Sequence, residues 1–403
     1  MRRQALIVGG GIGGLTAALS AARADWQVRL YERAPAFSEV GAGVQLGPNV
    51  VRVLHGWGLQ DALARVAAFP HRLQVRDAVS GRELGVLALG DRALQKYGAP
   101  YATIYRADLQ DLLLHAVQAQ GNVQLNLNTS ATGYSDSGHA VRLQTTQGPD
   151  ACERELEGDA LIGADGLWSR VRKVMLNDAP PRLTGHLAYR SMVLQSDLPE
   201  RLRSQQVTAW LGPKLHVVQY PVRGTDWLNV VAIVHGEASG GAQSWDHAAN
   251  GADLAAAMSG ACLPLRNLIE AVPHWRLWLL QDRPPMQGAH QHALGRVALL
   301  GDAAHPMRPY LAQGAAMALE DAAELGEVLA LARKPGLQVE SLLQRYAENR
   351  WRRNARVQAK ALRNGQVFHA HGLLRMARNA SLKLLGEKLL DLPWLYGTTS
   401  NRA

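Results

Sequence analysis

The sequence has only two cysteines in 403 residues, Cys152 and Cys262, and they match no zinc, CxxC or disulfide-framework spacing. A disulfide-stapled scaffold is excluded, no metal ligand set is read, and a reducing, cytoplasmic setting is expected. Long apolar runs are also missing. No stretch approaches the ~18 uninterrupted apolar residues of a membrane span, so no integral span is expected. The run after Arg2-Arg3 imitates a signal peptide with Ala22-Arg23-Ala24 as its cleavage site, but five glycines break it. Repeats and low-complexity tracts are absent. At 47% hydrophobic and 19% charged residues, the chain is globular rather than disordered.

Acidic residues are scarce in one place only. The net charge is +9, yet from Leu331 onward 14 Lys/Arg face four Asp/Glu, and the rest of the chain is close to neutral. This is a polarised C-terminal segment on a neutral body, and no nucleic-acid partner is expected. Gln338 to Arg363 reads as a helix with a basic face and an apolar stripe, and Leu373 to Leu390 as a second. A solvated face over a packed stripe explains both, with a membrane-surface or homodimer contact as the alternative.

Glycine, by contrast, is placed in motifs. Ala5 to Val8 reads as a buried strand that enters Gly9-Gly10-Gly11-Ile12-Gly13-Gly14, followed by an alanine-rich helix and a strand, Gln27 to Tyr31, ending at Glu32-Arg33. Gly9, Gly11 and Gly14 fill the G-x-G-x-x-G frame. The first permits the tight turn, the second lets backbone approach a pyrophosphate, and the third lets helix and strand pack closely. Glu32 stands where an acid accepts from a ribose 2′-hydroxyl. Strand, helix and acid in register point to a dinucleotide, without choosing between NAD and FAD.

Two more glycine–aspartate motifs follow. Asp159 to Arg172 carries an apolar strand into Gly163-Ala164-Asp165-Gly166, and Arg296 to Leu300 another into Gly301-Asp302-Ala303-Ala304-His305-Pro306. Next come Pro309-Tyr310-Leu311-Ala312-Gln313-Gly314-Ala315 and a helix from Ala316 to Leu331. A glycine-rich loop opening a helix offers amide N–H groups and a positive dipole end to an electron-rich partner. Asp302, at a strand's C-terminal end, can accept from sugar-alcohol hydroxyls.

Together, and in this order, the three motifs resemble those of the single-component FAD-dependent aromatic hydroxylases over nearly the whole chain. The resemblance implies a tight, non-covalent FAD site shaped by Gly9, Gly11, Gly14, Glu32, Arg33, Gln45, Asp165, Asp302, Gly314 and Ala315. Arg106, in Tyr105-Arg106-Ala107-Asp108-Leu109, is implied as a further FAD ligand. NADH or NADPH is then a transient co-substrate, because there is no second G-x-G-x-x-G.

Between the second and third motifs, Trp210-Leu211, Leu215 to Tyr220 and Trp227 to Val234 are short strand-like runs between Gly/Pro turns. Ala188 to Leu194 adds a strand, and Leu73 to Leu87 a hairpin around Ser80-Gly81. His216 and Tyr220, four apart on a strand, share a face. Such a pair could handle the proton of a phenol, or could equally be a satisfied His and Tyr in a sheet. Trp210 to Pro221 resembles the 3-hydroxybenzoate 6-hydroxylase branch, which implies His216 and Tyr220 as catalytic residues and Tyr189 at the substrate. Pro309, also implied at the substrate, stands where that branch has glutamine and is familiar from salicylate hydroxylases. Gln45 stands where hydroxynicotinate enzymes have histidine.

The expected fold is α/β. A discontinuous Rossmann-like FAD domain (1–70, 98–178, 281–340) carries an inserted substrate-binding β-sheet domain (71–97, 179–280) and C-terminal basic helices (341–403). The expected activity is NAD(P)H- and O₂-dependent hydroxylation of a small phenolic acid, 3-hydroxybenzoate to gentisate foremost. Salicylate to catechol, or another phenol, is the alternative, and a non-hydroxylating flavin oxidase or sensor a distant third.

Overall fold

The computed structural model describes residues 2–37, 42–148, 152–237, 247–248, 250–334 and 336–397. The chain divides into two units, one made of Met1–Val40, Ala107–Arg182 and Asp282–Ala361, the other of Gly41–Arg106, Leu183–Gln281 and Leu362–Ala403.

The first unit is built on a six-stranded sheet. The apolar strand Gln4–Val8 lies parallel between Gln27–Tyr31 and Ala160–Gly163, the latter pairs parallel with Val297–Leu299, and Val123–Asn126 extends the other side. Apart from Gln4, both inner motif strands are apolar, as a sheet covered on both faces requires. The helix Ile12–Arg23 and the alanine-rich helix Gly314–Ala330 pack closely through small residues. A Cβ on Gly326 would come within 3.0 Å of the Ser20 Cβ. Behind them the fully buried Trp26 donates its indole N–H to the Leu329 carbonyl at 3.2 Å. A three-stranded antiparallel sheet of Thr129–Asp136, Val141–Gln147 and Cys152–Gly158 completes this unit.

At the centre of the unit, Asp321 is fully buried on the helix Gly314–Ala330. Its carboxylate takes hydrogen bonds from the Arg350 guanidinium (2.8 Å) and the Asn354 amide (2.9 Å), contacts His305 Nε2 (2.5 Å) and accepts from the Gly301 N–H (3.3 Å). Burial pushes this carboxyl up, but His305 and Arg350 outweigh it and hold the group well below the usual carboxylate range. The third glycine motif, the helix behind it and the long helix Val339–Phe368 are thus joined at one anion.

The second unit is an eight-stranded sheet. In it Arg182–Leu194, Trp227–His235, Leu215–Val222 and Val207–Gly212 run antiparallel in that order, followed by the hairpin Arg72–Asp77/Glu83–Ala88. One face packs Leu187, Tyr189, Val217, Val230 and Ala232 against Leu254, Leu265 and Leu268 from the helices Gly251–Ala257 and Leu263–Ala271. The strand over Leu215 continues through Pro221, whose carbonyl accepts from Thr103.

Residues 41–70 and 98–106, expected with the cofactor domain, group instead with this second unit. The strands Gly43–Leu46 and Ala102–Tyr105 pair with each other, and the Gly43 N–H donates to Asn229. The C-terminal segment is not a third domain either, because its basic residues are used inside both units. Arg350 and Arg353 meet Glu320 and Asp321 in the first, and Arg375 and Arg378 meet the buried Asp77 in the second. The second expected helix breaks at Gly386 (φ 38°) into Gly372–Leu385 and Glu387–Leu390. No helix among the described residues is long and apolar enough to cross a membrane.

Replacing Asp321 by alanine strands the Arg350 guanidinium in the core. The expected loss is about 3–5 kcal/mol, read as a lower denaturant midpoint at unchanged slope.

Candidate active site

The first glycine loop is shaped by contacts that no side chain could make. Gly9 has φ +105°, and a Cβ there would sit 2.4 Å from the Ala164 carbonyl oxygen. A Cβ on Gly14 would meet the Gly9 carbonyl oxygen at 1.8 Å. The first and second motifs therefore pack backbone to backbone at Gly9, where a substitution forces them apart, while a substitution at Gly14 forces the helix start away from its own loop. Gly11, in extended conformation, caps the helix Ile12–Arg23, whose first turn holds no acid and whose leading amides suit a phosphate.

Glu32 does more than stand at the end of its strand. Its Oε2 accepts from the Gly10 N–H at 2.6 Å and its Oε1 from the Ala34 N–H at 2.8 Å, so it braces the loop as well as presenting an acceptor. Arg33 beside it is exposed. Asp165 is engaged locally. It contacts the Ser169 hydroxyl at 2.5 Å and accepts from the Arg170 N–H at 2.7 Å and the Val171 N–H at 3.2 Å, which fixes the turn into the helix Arg170–Leu176. Burial pushes its carboxyl up, and these bonds oppose the shift.

Asp302 differs from both. It is exposed in the turn after the strand Val297–Leu299, while its neighbours Gly301 and Ala303 are buried. Pro309 is half-buried in the following turn, where its carbonyl accepts from the Ala312 N–H. Gly314 and Ala315 begin the helix Gly314–Ala330, and a Cβ on Gly314 would meet nothing within 4 Å. Side-chain-free loops, unblocked helix N-termini and one exposed carboxylate form a donor set that fits a phosphate- and polyol-bearing dinucleotide such as FAD.

The second unit carries a polar sheet face. Strand register puts His216 opposite Ile233 and Ala188, and Tyr220 opposite Asn229 and Met192, so His216 and Tyr220 share a face as expected. Their immediate partners differ. His216 is 2% exposed, and its Nδ1 lies 2.7 Å from Nε2 of His369. Burial, reinforced by His186 and His235, holds its pKa down to about 3, so the ring is neutral at neutral pH.

Tyr220 belongs to a hydroxyl–amide chain. The buried Tyr101 donates to Gln45 Oε1 at 2.6 Å, which leaves the Gln45 amide N–H to bond the Tyr220 oxygen. Burial pushes the Tyr220 hydroxyl far up, so it keeps its proton and can donate it outward. Gln45, expected at the cofactor, is thus also a positioning group for Tyr220. Arg106 opens the helix Arg106–Gln118, with its N–H on the Ala42 carbonyl.

Tyr189 lies elsewhere. Alternation along its strand turns it away from His216 and into the apolar cluster with Leu187, Val217 and Ala232. Its neighbour Arg190 takes the polar face instead. The Arg190 guanidinium lies 3.7 Å from the centre of the Trp278 ring and makes no ion pair among the described residues. Its Nε is buried without a hydrogen-bond partner, as is Nδ2 of Asn229 on the same face. Burial is the main reason its pKa falls to about 9. Strand parity against the His216/Tyr220 pair was the sequence signal that could have found Arg190.

Residues 2–361 match the family described as FAD binding domain. The chain is 36% identical to 3-hydroxybenzoate 6-hydroxylase of Polaromonas naphthalenivorans (strain CJ2), covering 97% of this chain and 95% of the relative. It is 37% identical to 6-hydroxynicotinate 3-monooxygenase of Bordetella bronchiseptica (strain ATCC BAA-588 / NCTC 13252 / RB50), over 93% and 92% of the two chains. Among solved structures, a salicylate hydroxylase substrate complex superposes with a TM-score of 0.82 at 25% identity, covering 98% of this chain and 95% of the other.

An exposed carboxylate with no side-chain bond among the described residues can be removed without cost to the fold. Asp302→Ala is expected to leave the denaturant midpoint of the FAD-free protein unchanged, within about 0.5 kcal/mol. FAD affinity, followed by flavin fluorescence, should weaken about ten- to a hundredfold.

Proposed function

The chain belongs to the FAD-binding family of flavoprotein monooxygenases, and from that membership we propose that it hydroxylates a small phenolic acid, with 3-hydroxybenzoate converted to gentisate as the leading reaction. The enzyme is an FAD-dependent aromatic-ring monooxygenase. The observation that carries the substrate class is Arg190, a cation without a carboxylate partner among the described residues, its guanidinium carbon 3.7 Å from the centre of the Trp278 ring and on the same face as Tyr220. A half-buried guanidinium in that state is suited to a carboxylate from outside the chain.

FAD, when bound and reduced by NAD(P)H, supplies the oxygen-activating chemistry. Gly9, Gly11, Gly14 and Glu32 would hold its ADP half, and Asp302 with the Gly314–Ala315 helix start the remainder, with Arg106 as a further ligand. The substrate carboxylate pairs with Arg190 and with the Asn229 amide. Tyr220, fixed through Gln45 and Tyr101, donates its O–H to a substrate oxygen. His216 takes the phenol proton on Nε2 while its Nδ1–H is donated to His369. Loss of that proton raises electron density ortho and para to the phenol oxygen, and the position para to it in 3-hydroxybenzoate is the one whose hydroxylation gives gentisate.

The deciding assay is FAD-loaded protein with NADH or NADPH, O₂ and a panel of hydroxybenzoates, followed by product identification. Gentisate from 3-hydroxybenzoate is expected. Catechol from salicylate would move the enzyme to the salicylate branch, and peroxide alone with every phenol would overturn hydroxylation. Arg190→Met is expected to raise KM for the acid about 30-fold or more, as for a charge pair truncated on one side, with FAD content unchanged. His216→Ala should slow hydroxylation and divert reducing equivalents to peroxide, again with FAD retained.

A further inference from the structure

Four of the chain's histidines meet at one end of the second unit's sheet. His186 and His235 are opposite each other on neighbouring strands, their rings stacked with centroids 4.3 Å apart. His369 follows the C-terminal end of the helix Val339–Phe368, and its Nδ1 lies 2.7 Å from Nε2 of His235. Its other nitrogen, Nε2, is the partner of His216. One ring nitrogen from each of His186, His235 and His369 falls within 4.8 Å of the other two. The backbone holds two of these residues in place. Lys214, in left-handed conformation (φ 58°) between two strands, donates its N–H to the His369 carbonyl (3.2 Å) and accepts from the His235 N–H (3.1 Å).

We propose that His186, His235 and His369 form a binding site for a divalent transition metal of the zinc class, with His216 as the outer partner that orients His369. Three imidazoles with a fourth position open to water is a familiar zinc donor set, and imidazole suits zinc, copper and nickel. The cluster meets the further requirements of such a site. His235 is exposed and His186 half-buried, which gives the ion a route in, while His369 is only 5% exposed. A ligating histidine needs its second nitrogen fixed by a hydrogen bond, and His369 Nε2 has one to His216. Tetrahedral zinc with Zn–N near ~2.0–2.1 Å sets its ligand nitrogens about 3.3 Å apart. The His235–His369 pair must therefore open by roughly half an ångström, which small side-chain rotations accomplish.

The site has a chemical consequence for the adjacent residue, and this part rests on the proposed function. With metal on Nδ1 of His369, that ring carries its proton on Nε2 and donates it to His216 Nδ1. The His216 proton is then on Nε2, and that atom can no longer accept one from a phenol. Metal binding and phenol deprotonation at His216 require opposite tautomers, so bound metal switches the hydroxylase off.

The test uses FAD-loaded protein without a histidine tag, stripped with EDTA and dialysed against micromolar ZnCl₂. Bound zinc is measured by elemental mass spectrometry and affinity by competition with a chelating dye. One equivalent per chain is expected, weakened at least tenfold in His235→Ala and unchanged in His139→Ala, an exposed histidine of the other unit. His235→Ala changes an exposed side chain, so the fold should survive it. Less than half an equivalent at micromolar zinc, or full binding in His235→Ala, overturns the site whatever the protein's activity. If the assay above finds hydroxylation, zinc at one equivalent should inhibit it in the wild type but not in His235→Ala. Inhibition that persists in His235→Ala would overturn the tautomer switch.

Discussion

The first unit depends on one buried anion. Asp321 gathers a histidine and a backbone amide from one stretch of chain before it, and an arginine and an asparagine from one stretch after it. A carboxylate without these partners would be expelled or neutralised at that depth. With them, it sets the loop Gly301–His305 against the helix Gly314–Ala330, and so determines where Asp302 and the helix start at Gly314 stand. The neighbouring polar core follows from it. His292, its pKa lowered to about 4 by burial, is neutral beside Asn354, and Tyr346 donates to the Leu299 carbonyl at 3.0 Å.

Internal ion pairing absorbs part of the uneven charge. A segment with ten more bases than acids looks like an appendage for an acidic partner, yet Arg350, Arg353, Arg375 and Arg378 answer carboxylates of the body. Glu320 and Asp321 precede them by about thirty residues, and Asp77 by about three hundred. These four bases are thus committed to ion pairs with the body, and removing one partner of such a buried pair leaves an uncompensated charge. What stays exposed on the last helices is apolar as much as basic, with Leu373, Leu374 and Leu384 each more than 70% exposed.

Legibility followed the range of the interaction. The glycine motifs were readable because a turn, a close approach and a helix start are local demands that only glycine meets. Period-two alternation correctly put His216 and Tyr220 on one face, and the same rule, carried two strands further, excludes Tyr189 from it and admits Arg190. Resemblance pointed to Tyr189; register decided otherwise. Gln45 and Arg106 were read as cofactor residues, but nothing local showed that their segments pair with each other inside the sheet unit, or that Gln45 orders Tyr220. The histidine cluster left no trace at all, since His186, His216, His235 and His369 have none of the short spacings that mark a metal motif.

From its residues alone this protein is an α/β dinucleotide-binding chain with three glycine–aspartate loops, because each loop's geometry is dictated within a few residues. A polar strand face carrying His216 and Tyr220 is dictated in the same way. Only the tertiary structure decided which groups stand beside that face. It turned Tyr189 into the core and left Arg190 without an anion among the described residues, and it brought His369 from the far end of the chain onto His216. Those outcomes depend on strand register and on helices returning across hundreds of residues, and burial then sets their chemistry, keeping His216 neutral and Tyr220 protonated.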